Sequence, residues 1–471
     1  MKLAFIYPPY QGSANQPSIE LVSKNYGVYP PINLGYVAAV ARHHGHEISF
    51  IDANAEGLTK EETLERLKRI KPDAILFTIT TYIFHQTLAW IKYFKHNLDA
   101  ITIVGGVHTR AYPRETLSHK DIDFIIIGDC ENTLPELLRR LEMNQGLRKV
   151  KNIGFRKGGK IIITGSGEYC DLIPGVYAAR DLMPNQKYYS FISQKKNYTG
   201  ILSNKGCPFK CNYCEQGANN HNSARSIPDF INEIKECYRK HEIREFDFFD
   251  PIFTLDKKRA LAICGSIKRL DLDIEYAIRT RPDCVDDELL KSLKESGCKR
   301  IYYGIESSDE NVLRNINKKI NIGAAKEAIE KTRKNGIDAF GFFMFGCPGD
   351  TLKTVRETAR YSRTAGLDYV QYNNFVALAG TKIYEDLVKK TKKDFWAAYT
   401  LQEKEPDWKL PRLGTKLTDK EIEREIIRAY VRFYFRPSQT ILRLRKIKSF
   451  AELKKYAVAS SGFIRACLSK R

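Results

Sequence analysis

Three cysteines share one short stretch near the middle of the chain, Gly206-Cys-Pro-Phe-Lys-Cys-Asn-Tyr-Cys-Glu215. Cys207, Cys211 and Cys214 follow the spacing C-x3-C-x2-C. Three such thiolates can bind three irons of a [4Fe–4S] cluster and leave the fourth iron open to a substrate or cofactor. A zinc knuckle and three unrelated core thiols are the alternatives, but no second C-x2-C or H-x3-H pair follows to complete a zinc site. The pattern therefore favours a cluster with an open iron.

The first 145 residues, which must position any ligand of their own, alternate apolar strands with amphipathic helices. The predicted strands are Lys2–Ile6, Glu47–Ile51, Ala74–Thr78, Ile101–Val104 and Phe124–Ile127. Such alternation predicts an α/β, doubly wound, Rossmann-like parallel sheet, in which ligands bind at the carboxyl ends of the strands. Those ends carry polar or small residues, namely Tyr7, Asp52, Thr78, Thr80, Gly105, Gly106 and His108.

A second β/α series begins near Thr199, directly before the cysteine stretch. Its six predicted strands are Thr199–Ser203, Glu245–Phe249, Asp273–Ile278, Arg300–Ile305, Ala339–Phe345 and Tyr369–Phe375. Six such units predict a partial (β/α)6 barrel, whose chemistry lies in the loops at the strand carboxyl ends. The predicted domains are 1–145, a connector at 146–195 with a short hairpin around Gly158-Gly159, the barrel at 196–400, and a basic C-terminal helical region at 401–471.

The composition indicates which class of protein and which cellular compartment to expect. The 471 residues are 43% hydrophobic, which indicates a globular chain of two or three domains. No apolar run is long enough to predict a membrane-spanning helix. The eleven cysteines are scattered, and the first residues begin like a strand and lack the layout of a signal peptide. We therefore expect a reducing cytoplasm and no disulfide framework.

The C-terminal segment concentrates positive charge. The formal net charge is +21, and from Arg428 to Arg471 there are twelve Lys or Arg and one acid, Glu452. Amphipathic basic segments bind anionic membrane surfaces, so a peripheral contact with the inner membrane face is one interpretation. In the alternative, Tyr430, Phe433 and Phe435 pack on the barrel and the arginines are solvated. Positive charge alone does not distinguish a lipid partner from an acidic substrate or a nucleic acid. We expect no specific nucleic-acid partner.

Four further motifs end successive strands of the predicted barrel. They read Asp250-Pro-Ile-Phe-Thr-Leu-Asp256, Arg279-Thr-Arg-Pro-Asp283, Gly304-Ile-Glu-Ser307 and Gly346-Cys-Pro-Gly-Asp350. In this order after C-x3-C-x2-C, they resemble the cobalamin-dependent radical S-adenosylmethionine (SAM) enzymes. The subgroup includes hopanoid and lipid methylases and the oxygen-independent porphyrin cyclase. The first domain resembles their B12-binding domain through Pro30-Pro31-Ile-Asn-Leu-Gly-Tyr-Val-Ala38, Gly105-Gly106-Val-His108 and Asp121-Ile-Asp-Phe-Ile-Ile-Ile-Gly-Asp-Cys-Glu131.

The resemblance implies an enzyme with one [4Fe–4S] cluster, SAM and cobalamin. In that family SAM is cleaved to a 5′-deoxyadenosyl radical that abstracts hydrogen from an unactivated carbon. Methyl transfer from methylcobalamin to a small-molecule or lipid substrate is the expected outcome, and flavodoxin or ferredoxin is an expected electron donor. A non-methylating cyclase or rearrangement enzyme is the alternative. A tRNA-modifying methylthiotransferase is a further alternative, although the second cysteine triad of that family is not visible.

The resemblance also implies roles for individual residues. Cys207, Cys211 and Cys214 would bind the cluster. Glu306 would accept hydrogen bonds from the SAM ribose or pair with its ammonium, and Arg279 would pair with the SAM carboxylate or bind substrate. Tyr213, Asp250 and Gly346 are further expected cofactor-binding residues of the barrel, and Asp283 is a plausible site residue. Cobalamin would lie at the strand ends of the first sheet, with no histidine below cobalt because the loop Tyr7-Pro-Pro-Tyr-Gln-Gly12 offers none. His108 is expected near its nucleotide tail.

Overall fold

The computed structural model describes residues 1–9, 27–167, 170–193, 195, 197–215, 223–406 and 412–437. The strands up to the connector are β1 (Lys2–Tyr7), β2 (Gly27–Val28), β3 (Glu47–Asp52), β4 (Ala74–Thr78), β5 (Ile101–Gly105), β6 (Phe124–Ile126), β7 (Ile153–Lys157), β8 (Lys160–Ile163) and β9 (Tyr189–Ser190). The later strands are β10 (Tyr198–Ile201), β11 (Asn204–Lys205), β12 (Ser223–Ala224), β13 (Glu245–Phe248), β14 (Glu275–Thr280), β15 (Cys298–Glu306), β16 (Asp338–Phe345) and β17 (Tyr369–Asn374).

Helices fill the intervals between the strands. Those of the first half are α1 (Ile32–His43), α2 (Ala53–Glu56), α3 (Lys60–Ile70), α4 (Phe84–Asn97), α5 (Val107–Ala111), α6 (Pro113–Ser118) and α7 (Thr133–Glu142). Those of the second half are α8 (Ile227–His241), α9 (Lys257–Leu270), α10 (Asp287–Glu295), α11 (Glu310–Asn315), α12 (Ile322–Lys334), α13 (Leu352–Thr364), α14 (Lys382–Thr391), α15 (Phe395–Thr400) and α16 (Asp419–Tyr434).

The first sheet has the strand order β3-β1-β4-β5-β6-β7-β8. The strands β3, β1, β4, β5 and β6 are parallel, which confirms the predicted Rossmann-like architecture. The hairpin β7–β8 pairs antiparallel to β6 at the edge of this sheet. The first sheet therefore extends past residue 145, and the hairpin predicted for the connector belongs to it. The sequence prediction ended the first domain where the β/α alternation stops. That local pattern does not indicate that an antiparallel hairpin adds two more strands to the sheet.

The second sheet has the order β10-β13-β14-β15-β16-β17, with every neighbouring pair parallel. This is the six-stranded partial barrel that the sequence predicts. Its strands are buried on both faces, as in β13, where all four residues are buried. Parallel strands that are covered by crossover helices need apolar residues on both faces, which explains their continuous apolar runs.

A buried ionic network joins the two sheets. Glu233 on α8 is fully buried and accepts a hydrogen bond from Tyr36 on α1 at 2.8 Å. Arg180 of the connector donates to the same carboxylate at 2.6 Å, and Arg225 donates to its other oxygen. Removing one partner would leave an uncompensated buried charge, so the network fixes how the first domain lies on the barrel.

The helix α16 covers the open edge of the barrel. The backbone N–H groups of Val370 and Tyr372 on β17 donate to the hydroxyls of Tyr434 and Tyr430, each at 3.0 Å. Residues four apart on a helix and two apart on a strand are both separated by about 6–7 Å, so the spacings match. Tyr430 and Phe433 are thus packed on the barrel, as one interpretation of the sequence expects, whereas Phe435 is 45% exposed.

The remaining basic segment, residues 438–471, lies outside the described residues. Across the part of the chain that is described, no helix combines the length and apolar character needed to cross a bilayer.

Candidate active site at the junction of the two sheets

One cavity of about 980 Å³ lies where the strand carboxyl ends of both sheets face each other. Its lining from the first sheet includes Tyr7, Thr78, Thr80, Gly105 and Gly106. Its lining from the barrel includes Asp247, Phe249, Arg279, Tyr302, Phe340 and Phe342. Predicted strand-end residues of the first sheet therefore border the same space as Arg279 of the barrel, whereas Tyr213, Asp250, Glu306 and Gly346 are not part of its lining.

The cysteine loop follows β11 at the barrel end of this region, and Gly206, directly before Cys207, lines the cavity. All three thiols are partly exposed. Burial raises the pKa of Cys207 and Cys211, while the nearby cations Lys318 and Arg281 act in the opposite direction. Positive groups beside thiols favour the thiolate form that binds metal.

The cysteine loop offers a donor set for an iron–sulfur cluster. Across the described residues, no three side chains of His, Cys, Asp or Glu converge closely enough to ligate one ion. A [4Fe–4S] cluster makes no such demand, because each thiolate binds a different iron. Three thiols on one loop, with the cations Lys318 and Arg281 nearby, are a suitable donor set for it.

Glu306 ends β15 beside the cysteine loop and adopts a left-handed backbone with φ of 69°. A non-glycine residue in that region is sparsely populated and often marks a functional site. One carboxylate oxygen accepts a hydrogen bond from the Tyr213 hydroxyl at 3.0 Å and lies 3.3 Å from the Lys318 ammonium. The structure therefore brings together the predicted residues Glu306 and Tyr213 and adds Lys318.

Arg279 lies on β14 in the wall of the cavity, bound to Asp247 on β13. It donates to both oxygens of that carboxylate, with Nη2···Oδ2 at 2.9 Å. Its guanidinium also lies 4.2 Å from the ring centroid of Phe249 and 5.1 Å from that of Tyr302. The positive charge is thus neutralised and stacked between rings, so the barrel wall is aromatic and nearly uncharged here.

Asp250 and Gly346 organise loops near the site. Asp250 is fully buried and accepts hydrogen bonds from the backbone N–H of Ser203 at 2.6 Å and of Asn204 at 3.1 Å. It therefore shapes the chain that leads into the cysteine loop. Gly346 has φ of 89°, and a Cβ added there would come within 2.5 Å of Ile422 on α16.

The loop after Gly346 is held by a carboxylate. Asp350 accepts from the backbone N–H groups of Gly346 and Cys347, both at 2.9 Å, and burial raises its pKa to about 6. Cys347 is itself fully buried, which matches the role of a small core residue. Asp283 binds Arg281 through two hydrogen bonds, at 2.9 and 2.7 Å.

The loops after β4 and β5 bring small residues to the opposite wall. Gly106 has φ of 112°, and a Cβ there would lie 2.5 Å from the carbonyl oxygen of Ile79. Only glycine allows the loops after β4 and β5 to approach so closely. Gly105 has no neighbouring atom closer than 4.0 Å to such a Cβ, so its missing side chain leaves open space in the cavity. Glycines and threonines at these loops leave room for the close approach of a large ring such as a corrin.

Two residues predicted for this wall do not line the cavity. Asp52 is fully buried, caps α2 by accepting from the N–H of Ala55 at 2.8 Å, and accepts from the Tyr188 hydroxyl at 2.7 Å. His108 is fully buried as well, with its ring centroid 4.5 Å from that of Phe84 and its nitrogens near the hydroxyls of Thr81 and Thr400. A strand-end position does not by itself determine whether a side chain faces the ligand or the core.

Sequence reasoning missed Asp247, Lys318 and Arg281. Asp247 precedes the predicted strand-end motif and resembles one more strand residue in the sequence. Lys318 lies in Ile316-Asn-Lys-Lys-Ile320, where a cation between apolar residues is a weak signal. Arg281 stands in the motif after β14, but its stacking on Phe209 at 3.8 Å depends on a contact between distant segments.

Comparisons with known proteins identify two domains. Residues 201–362 match the radical SAM superfamily, and residues 21–138 match the B12 binding domain. An uncharacterized methyltransferase of Pyrococcus horikoshii is 28% identical over 450 residues, covering 94% of each chain. The anaerobic magnesium-protoporphyrin IX monomethyl ester cyclase of Rubrivivax gelatinosus is 23% identical over 400 residues, covering 83% of this chain and 70% of the cyclase.

Among solved structures, the cobalamin-dependent SAM radical enzyme OxsB with aqua-cobalamin bound has a TM-score of 0.73 at 15% identity. The match covers 99% of this chain and 71% of that enzyme, and it shows a shared fold. This chain therefore carries a B12-binding domain at residues 21–138, ahead of a radical SAM domain at residues 201–362. The two domains imply one [4Fe–4S] cluster, SAM and cobalamin, which confirms the cofactors predicted from the sequence.

Proposed function

We propose that this chain transfers a methyl group to an unactivated carbon of a neutral, largely apolar small molecule or lipid. The observation that carries the proposal is the cavity bordered on one side by the strand ends of the first sheet and on the other by residues of the barrel strands. A substrate in that space would meet a radical source from the barrel side and a methyl donor from the B12 side. The name of the Pyrococcus relative, a methyltransferase, agrees with this outcome.

The cofactors supply the chemistry: SAM at the cluster supplies a 5′-deoxyadenosyl radical, and cobalamin supplies a transferable methyl group. The protein binds and orients them. Cys207, Cys211 and Cys214 would hold the cluster. Glu306 would accept hydrogen bonds from the SAM ribose or pair with its ammonium, because one of its oxygens is already fixed by Tyr213. Asp250 and Gly346 would keep the neighbouring loops in place.

On the other wall, Thr78, Thr80, Gly105 and Gly106 would contact cobalamin, with Tyr7 at the edge of the cavity. Their small size supports a planar ligand that approaches the backbone closely. The described loops after β4 and β5 place no histidine imidazole in this wall, because His108 is buried among Phe84, Thr81 and Thr400. We therefore propose that cobalt has no histidine ligand from these loops.

The barrel wall supports the proposed substrate class. Arg279 and Asp247 neutralise each other, and the aromatic rings of Phe249, Tyr302 and Phe342 border the same space. Burying a phosphate or another anion against this part of the barrel wall, where Arg279 is already paired with Asp247, would leave its charge poorly compensated. A neutral ring or hydrocarbon would lose little hydration free energy when it enters the cavity. The edge of the Arg279 guanidinium would orient one hydrogen-bond acceptor of that substrate.

The surroundings of the enzyme are part of the proposal. A cytoplasmic location would suit an oxygen-sensitive cluster, and a small electron carrier such as flavodoxin or ferredoxin would deliver the electron. Contact with the inner membrane face would bring a lipid substrate within reach. The support for that contact is the composition of residues 438–471, which lie outside the described residues.

The experiment is anaerobic incubation of the reconstituted protein with SAM, cobalamin, a reductant and host lipid extract, followed by mass spectrometry. A product heavier by one methylene, carrying the label of methyl-deuterated SAM, would support methyl transfer. A product formed without mass gain of a methylene would instead favour the cyclase-like alternative, to which the Rubrivivax relative draws attention. The matched control is the protein with Cys207, Cys211 and Cys214 changed to alanine.

A further inference from the structure

A short segment, residues 315–319, forms a platform beneath the cysteine loop. The backbone N–H of Asn212 donates to the carbonyl of Ile316 at 3.2 Å, and its side chain donates to the carbonyl of Asn315 at 2.8 Å. In return, the side chain of Asn317 donates to the carbonyl of Lys210. These contacts run between residues about a hundred positions apart in sequence, and they fix the loop that bears the three cysteines.

Lys318 projects from this platform into a space that glycine leaves open. It is 8% exposed, and its ammonium lies 3.3 Å from the Glu306 carboxylate. A Cβ on Gly304 would come within 3.0 Å of that ammonium and 2.9 Å of the carboxylate oxygen. The pair therefore depends on glycine at position 304, which marks the arrangement as specific.

The buried pair has a direct link to the cysteine loop. The carboxylate oxygen of Glu306 that faces Lys318 also accepts the hydrogen bond of Tyr213, which lies between Cys211 and Cys214. The charge of Lys318 acts on Cys207 and Cys211, and Glu306 acts on Cys211 with the opposite sign. Arg281, the other cation that acts on these thiols, has its charge countered by Asp283.

We propose that Lys318 is a positioning residue that holds Glu306 against the cysteine loop and raises the reduction potential of the cluster. The inference rests on the proposed cluster at Cys207, Cys211 and Cys214 and goes beyond it by assigning the control of its potential. Reduction takes one electron from an external donor and adds one negative charge to the cluster. A buried cation nearby stabilises that added charge, and a buried carboxylate destabilises it, with little screening by salt.

The test is an anaerobic redox titration of the reconstituted full chain, without SAM, followed by electron paramagnetic resonance. For Lys318→Met we expect the equilibrium constant for reduction to fall about tenfold, which is a shift of about 59 mV to more negative potential. Lys318→Arg should restore most of the difference because the charge is kept. Lys319→Met is the matched control, since it removes the same charge from an exposed neighbour and should leave the potential unchanged.

A second variant separates electrostatics from simple structural damage. Glu306→Gln should move the potential in the opposite direction, and the double variant with Lys318→Met should lie near the wild type. If Lys318→Met fails to hold a cluster, the direction of the Glu306→Gln shift still decides. Equal potentials in Lys318→Met and Lys319→Met, or a negative shift in Glu306→Gln, would overturn the inference. Absence of any cluster in the wild type would instead contradict the proposed function.

Discussion

The two sides of the cavity differ in the types of residue that form them. On the barrel side, charged side chains are paired with one another, as in Arg279 with Asp247 in the cavity wall and Glu306 with Lys318 beside the cysteine loop. The strand ends of β4 and β5 contribute threonines and glycines instead, among them Thr78 and Gly106. On the barrel side the side chains neutralise each other's charge, and at the ends of β4 and β5 small residues let a ligand approach the backbone.

This difference follows from what each cofactor requires. A cluster that accepts an electron changes its charge, so the surrounding dipoles and ions set how readily it does so. A corrin is large and flat, and a wall can hold it by close backbone approach that only small residues permit. Substitutions on the two walls should therefore fail in separable ways.

The largest separation is expected from the cysteines. Changing Cys207, Cys211 and Cys214 to alanine should abolish the brown chromophore and 5′-deoxyadenosine formation, because the cluster loses its three protein ligands. Cobalamin binding, measured by absorbance after gel filtration, should persist. Cys284, which is partly exposed and outside the motif, provides the control. Four irons that remain in the triple variant would show that the ligands lie elsewhere.

The reciprocal change is Gly106→Val. A side chain at this φ meets the Ile79 carbonyl and must displace the floor of the cavity, so cobalamin affinity should fall at least about tenfold. Iron content should stay normal. Gly57→Val is the matched control, because Gly57 has φ of 70° in the same domain but no neighbouring atom within 4 Å of an added Cβ. Equal loss of cobalamin in both variants would point to general destabilisation.

Particular residues show how far the sequence predicts this molecule. The periodic strands follow from local patterns, so β4 (Ala74–Thr78) agrees with the prediction at both ends. The cysteine triad is visible because its ligands are adjacent in sequence. Lys318 was not visible, because its role depends on a contact with Glu306 that no local pattern records.

The direction of a strand-end side chain is equally hard to predict. Asp52 and Thr78 both lie at the carboxyl ends of strands, yet Thr78 lines the cavity and Asp52 caps α2. Tyr188, which covers Asp52, comes from the connector, 136 positions away. The role of Asp52 as a structural residue therefore depends on packing against a segment that is distant in sequence.

The variant Asp52→Asn tests whether Asp52 has a structural role, through the pH dependence of the free energy of unfolding. Burial raises the pKa of Asp52 to about 6, above its ordinary value of 3.8. Between these values the folded state holds a proton that the unfolded state has released, so this group stabilises the fold below about pH 4 and the contribution is lost as pH rises through 6. Urea unfolding should show this dependence, on the order of 1–3 kcal/mol, in the wild type and not in the variant. Cobalamin affinity should be unchanged, and a marked loss would indicate a direct contact.

The smallest effect is expected outside both walls, in the basic C-terminal segment. Removing residues after Pro437 should leave cluster and cobalamin content intact, because α16 already supplies the hydrogen bonds to β17. Co-sedimentation with anionic vesicles should decrease, and salt should weaken it in the full chain because exposed charges are screened. Equal sedimentation with neutral and anionic vesicles would remove the electrostatic basis for membrane contact.

The most direct test of the account is whether both cofactors face the same cavity. The measurement is the electron spin relaxation of Co(II) cobalamin bound to the full chain, with the cluster first oxidised and then reduced. If the two cofactors lie on opposite walls of one space, reduction of the cluster should make the cobalt signal relax faster. The effect should be absent in the variant without Cys207, Cys211 and Cys214. A cobalt signal that is unchanged by a fully reduced cluster would contradict the shared cavity and the methyl transfer that depends on it.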